Sequence, residues 1–168
     1  EDYQSAFEAL NKQDVQVVVC DSADQTVHQA LRGAVETASA ARQERIAVVG
    51  GSGEDVSALV KHAAALNSER VALVGPDALD SQGETIPSVF AAAAVAGAVA
   101  SGRDPAAPLN GAALRGLGGL AADYSDSEID LLVRGGVTPL ENAAGVISPV
   151  RGITTRTTTG GAPDTTWR

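Results

Sequence analysis

The sequence predicts an α/β fold: a parallel-sheet βαβ core with helices on both faces and a C-terminal β-hairpin arm. Three observations carry this. Short, β-branched apolar runs begin at Val15, Ile46 and Val71, a repeat of about 25–30 residues, the size of a βαβ unit. Between them lie segments with apolar residues at helical spacing. Glycine or aspartate punctuates each junction, as strand-to-helix turns require.

The elements follow in order. Tyr3 to Leu10 has weak helical spacing. Val15 to Cys20 is nearly continuous in apolar residues, which suggests a strand buried on both faces. Asp21, Ser22 and Asp24 supply cap chemistry for a helix carrying Val27, Ala30, Leu31, Ala34, Val35 and Ala38. Ile46 to Val49 is the second strand and ends at Gly50-Gly51. Ser52 or Gly53 can cap the next helix, with Glu54 and Asp55 in its first turn and Val56, Leu59, Val60, Ala63 and Ala64 on its apolar face. Val71 to Val74 is the third strand, stopped by Gly75-Pro76. Such strands imply right-handed crossovers.

Pro87 suits the first turn of a helix, and Val89 to Ala100 is apolar on every side. That pattern predicts a helix buried all round, against a sheet or a neighbouring subunit. Asp104 to Gly119 reads as a loop, with Asn110-Gly111 its strongest turn. Ser125 and Glu128 form a capping box for a short helix that ends at Gly135-Gly136. Val137 to Leu140 reads as a small strand, and Val146 to Thr159 as one or two more. No linker divides the chain, so residues 1–168 are expected to form a single domain.

Composition excludes several functions. The 168 residues carry a net charge of −9 and a pI near 4.5, which disfavours nucleic-acid binding. One Cys rules out an internal disulfide framework and a Cys-based zinc cage. Aromatics are 3%, too few for a base-stacking platform. The longest apolar run has about 12 residues, short of the about 20 that span a bilayer. There is no Met, so the chain is expected to be trimmed or excised from a longer protein.

Candidate chemistry is sparse. Gly50-Gly51-Ser52-Gly53 follows a strand, but the dinucleotide register G-x-G-x-x-G is absent and Glu54 and Asp55 would repel a phosphate. An ordinary βα turn is the better reading. Asp21, Asp24, Asp77 and Asp80 could together form an acidic pocket for Mg²⁺; capping and turn closure explain them more simply. His28 and His62 fall off the apolar stripes and read as surface histidines. Cys20 reads as a small core residue. Arg70 and Arg134 suit charge pairing at element ends. No catalytic residue, metal ligand or cofactor site is assigned.

The most unusual stretch is Val146 to Thr159, with Pro149, Arg151, Arg156 and five threonines. Few apolar side chains specify its buried face, so it reads either as a long polar edge strand open to pairing with another chain or, equally, as a solvated hairpin arm. Its charge contrasts with that of the body: 14 of the 21 acids lie before residue 85, while the last 18 residues carry three Arg and one Asp.

Several stretches, taken in order, resemble contractile phage tail sheath proteins of the Mu-like and prophage group. They are Arg45 to Gly51, Glu69 to Pro76, Ser88 to Ala100, Arg103-Asp104-Pro105 with Pro108 to Gly111, Glu128 to Gly136, Arg151 to Thr157, and Gly160 to Arg168. The resemblance implies a subtilisin-like sheath core, a name that concerns fold, and a structural role without enzymatic activity. It implies a subunit in a helical array around a tail tube that contracts during DNA delivery, located in the virion tail and assembled in the host bacterial cytoplasm. Its partners would be other sheath subunits and the tube, with no direct nucleic acid and no membrane. Arg151, Thr154, Thr155, Arg156, Thr157 and Trp167 are then expected near a subunit contact. Family members carry further domains and arms, so the chain is expected to be a core separated from them. The alternative reading is a doubly wound α/β nucleotide-binding or enzyme domain, supported by the βαβ rhythm and Gly50 to Gly53.

Overall fold

The computed structural model describes residues 3–102 and 107–164. Its centre is a five-stranded sheet of β1 (Val17–Val19), β2 (Ile46–Gly50), β3 (Val71–Gly75), β6 (Val137–Ala143) and β7 (Val146–Pro149), in the order β1-β2-β3-β6-β7. The first four run parallel, and β7 returns antiparallel to β6. The helices are α1 (Tyr3–Leu10), α2 (Gln25–Ala40), α3 (Val56–Leu66), α4 (Ser88–Ser101) and α5 (Asp126–Arg134). Two small pairs complete the chain: β4 (Ala78–Leu79) with β5 (Gly119–Leu120), and β8 (Thr158–Thr159) with β9 (Ala162–Pro163).

Strand alternation explains why the runs are continuously apolar. Ala47, Val49, Val71 and Leu73 face α2, α3 and α5, in a core with Leu31, Val35, Leu59 and Leu132. Val48 and Val74 face the other way, onto Ala91, Ala92 and Val95 of α4. Each face therefore needs apolar residues, and no polar alternation remains. Helices cover both faces, as the sequence predicts.

Glycine brings the layers close. A Cβ at Gly50 would stand 2.4 Å from the Ser88 carbonyl oxygen, so only glycine lets the first turn of α4 rest on the end of β2. A Cβ at Gly51 would collide with Leu59. Gly50 and Gly51 are thus occupied by packing, whereas Gly53 serves a turn with φ 78°.

Three expectations are corrected. The α2 cap is Asp24, whose carboxylate accepts from the Thr26 amide, but α3 starts later than expected, at Val56 with Asp55 as its cap. His28 and His62 are buried, because the inward stripes run His28-Leu31-Val35-Ala38 and Leu59-His62-Ala63-Leu66. The alanines placed on those stripes are too small to mark a face unambiguously. Within this single chain helix α4 buries the face that meets the sheet, while Phe90 is 52% exposed and Ala93, Gly97 and Ala100 are exposed beside it, the face expected to meet a neighbouring subunit if it is covered. A uniformly apolar helix has no periodicity to say which side turns inward, and one sheet covers one side. Lastly, Val146 to Thr159 is not one long edge strand. Only Val146–Pro149 joins the main sheet, and its outer edge is closed: the Pro149 carbonyl accepts from Gly111 N at 3.0 Å and the Ile147 carbonyl from Leu114 N at 2.8 Å.

Candidate functional site: the C-terminal arm

After β7 the chain crosses the start of β3 in an extended path. Thr138 Oγ1 donates to the Ile153 carbonyl at 2.9 Å and accepts from Ile153 N at 3.1 Å. Thr155 N donates to the Val71 carbonyl at 2.8 Å. The Thr155 side chain is fully buried and grips the turn before β3: Ser68 N donates to its hydroxyl, which donates on to the Ser68 carbonyl. Gly136 lets this path approach, since a Cβ there would lie 2.9 Å from the Thr155 carbonyl oxygen.

Asn67 holds the next residues. It ends α3 in the left-handed conformation, φ 39°. Its side-chain oxygen accepts from the amides of Thr157 and Thr158, and its amide donates to the Thr158 carbonyl at 3.1 Å. Arg156 pairs with Glu69 at 2.5 Å and with Asp164 at 3.1 Å, joining the arm to the body and to itself. Both partners are acidic, so the basic arm uses part of its charge within its own chain.

The expected contact residues divide accordingly. Thr155 is enclosed, and Arg156 is two-thirds buried in ion pairs. Thr154 and Thr157 are half-buried. Arg151 is exposed, with no ion pair among the described residues. Trp167 lies outside the described residues.

Beside the arm is an open cleft of about 460 Å³, lined by Glu36, Asn67, Ser68, Glu69, Arg70 and Arg156 among others. Its charges are mutually engaged. Glu36 accepts from Ser68 Oγ at 2.6 Å and from Arg32 at 3.0 Å. Arg70 meets Glu44 at 2.5 Å.

Three of the four aspartates serve separate local roles. Asp24 caps α2. Asp80 accepts from the amides of Gln82 and Glu84, which lowers its pKa. Asp21 accepts from the Tyr3 hydroxyl at 3.1 Å. Burial raises the pKa of Asp77. Among the described residues no group of three His, Cys, Asp or Glu could hold a metal. Cys20 is buried, and desolvation raises its pKa. Arg134 pairs with Asp130 at 2.9 Å.

Sequence reasoning missed Arg45. It is 2% exposed and donates to the Leu10, Gln13 and Gln43 carbonyls and to the side-chain oxygens of Asn11 and Gln43. This guanidinium sits on the carbonyl end of α1, where a cation complements the helix dipole. Its place just before an apolar strand was the available signal.

Comparison with curated proteins gives no match. Among solved structures, the sheath tail protein of Desulfitobacterium hafniense superposes with a TM-score of 0.78 at 18% identity, covering 94% of this chain and 36% of that one. The sheath tail protein of Listeria innocua gives 0.77 at 14% identity, covering 98% and 36%. The helical sheath of the anti-feeding prophage in its contracted state gives 0.61 at 14% identity, covering 99% and 45%. The chain thus spans about a third to a half of the length of these proteins, and they share its fold. The family model described as phage tail sheath protein central domain matches residues 1–155. On that match, over nearly its whole length, the chain belongs to the phage tail sheath central-domain family.

Proposed function

We propose that the chain is the central domain of a structural subunit in a contractile tail sheath. The observation that carries this is the family match over residues 1–155. In this reading the subunits form a helical array around a tail tube. The array shortens during DNA delivery as subunits move as rigid bodies between two packings. The layered core supports such use, since α4 rests on the sheet through Gly50 and the arm is locked at Ser68, leaving little to deform internally. The tube is the second partner, the subunit is assembled in the host bacterial cytoplasm, and the role is architectural, without catalysis. No helix among the described residues is long and apolar enough to cross a membrane.

Arg151, Thr154, Thr157 and Trp167 are the arm residues proposed to lie near a subunit contact. Arg151 is the best probe because it is exposed and unpaired among the described residues. The test is electron microscopy of the full-length parent, alone and with its tube. Helical sheaths are expected from the wild type, and fewer from Arg151→Glu. A parent that stays dispersed with its tube present would overturn the sheath reading. Normal sheaths from Arg151→Glu would overturn only the placing of the contact.

A further inference from the structure

His28 and His62 meet where α2 packs on α3, at 0% and 8% exposure. Their rings stack with centroids 5.0 Å apart and planes 20° apart. His28 Nε2 lies 2.6 Å from the Ser22 carbonyl oxygen. A carbonyl only accepts, so Nε2 carries the proton. Neutral His28 therefore presents a bare Nδ1, 3.0 Å from His62 Nε2, and His62 must donate. The chain is directional: His62 donates to His28, and His28 donates to Ser22. A proton added to His28 Nδ1 would set two N–H groups head to head. A proton added to the other nitrogen of His62 would keep the bond but place a cation in the helix interface.

We propose that this pair is a proton-sensitive joint between α2 and α3, closed while both rings are neutral and opened by mild acid. Asp24 is the charged group that acts on both rings, and it favours their protonation. Its carboxylate is exposed and engaged with the Thr26 amide. In the same turn Asp21 accepts from Tyr3 of α1, and Cys20 stays a neutral thiol. On α3, Asp55 binds Ser57 and Lys61 is exposed. On α5, Asp130 is taken by Arg134. Burial outweighs Asp24 and holds both rings below the ordinary histidine range, with His62 lowered to about 4. The unfolded or opened chain therefore binds more protons, and the joint weakens as pH falls from about 6.5 towards 4.

Side-chain ¹⁵N NMR of the 168-residue chain from pH 7.5 to 4.5 reads tautomers and titration directly. Hydrogen exchange at pH 7 and pH 5, corrected for intrinsic rates, reads the joint. We expect His28 as the Nε2–H tautomer and both rings titrating below the ordinary histidine value of about 6.5. Exchange should rise at least about tenfold in α3 and the first half of α2 at pH 5, with β2 and β3 still protected. The double variant His28→Gln, His62→Gln should lose this acid response. Both rings titrating near the ordinary value, or acid exchange spread evenly over the chain, would overturn the proposal. If the double variant does not fold, the wild-type spectra alone decide it.

Discussion

The Ser68 amide donates to the Thr155 hydroxyl at 3.0 Å, and the same hydroxyl donates to the Ser68 carbonyl at 3.1 Å. One buried side chain thus satisfies both backbone groups of a residue 87 positions earlier. Thr155→Val keeps the shape and leaves both groups unpaired, at a cost of about 2–3 kcal/mol in urea unfolding. Thr155→Ser should retain most of that stability. Equal stability of the valine variant and the wild type would contradict the buried pairing.

Arg45 serves α1 in a similar way. Arg45→Met removes the donor set from the carbonyls of Leu10 and Gln13 and should cost about 2–4 kcal/mol. Hydrogen exchange should show α1 opening first, since Arg45 and the buried Phe7 are its main ties to the body.

Two glycines make a paired comparison. Gly50→Ala drives a methyl into the Ser88 backbone and should destabilise by more than about 3 kcal/mol or prevent folding. Gly97→Ala, exposed on α4 with no atom within 4 Å of the new Cβ, should stabilise by up to about 1 kcal/mol. Thermal melts of both variants check the α4 geometry.

Arg156→Gln breaks the pairs to Glu69 and Asp164. Both are partly solvated, so the global cost should be only about 0.5–1 kcal/mol. The local effect should be larger, with faster hydrogen exchange in the β8–β9 hairpin. Arg151→Glu should leave stability within about 0.5 kcal/mol, because Arg151 is exposed and makes no ion pair among the described residues. Its effect on sheath formation then reports assembly and not folding.

The βαβ order was legible because β-branched runs and cap residues act locally. Asp24 capping α2 and the Ser125–Glu128 box, with Ser125 N donating to Glu128 at 2.9 Å, needed only neighbours in sequence. The buried histidines were not legible. Alanine-rich stripes blur helix orientation, and a histidine is accepted in a core only when a partner 34 positions away completes its hydrogen bonds. The hairpin arm was legible, but its tie to the body was hidden for the same reason. Its threonines read as edge-strand or solvated residues, because the groups they engage, at Ser68 and Asn67, lie about 90 residues upstream. The Arg156–Glu69 pair also showed that the charge contrast between body and arm is partly internal.

The sheet order has a consequence for synthesis. Strand β3 lies in the middle of the finished sheet, but its second neighbour is β6, which begins 62 residues after β3 ends. On a ribosome adding about 5–20 residues each second, β3 therefore presents an open, apolar edge for about 3–12 s. That interval is when a nascent chain is most exposed to mispairing with its neighbours on a polysome. Chaperone occupancy should accordingly peak between the emergence of Gly75 and that of Val137.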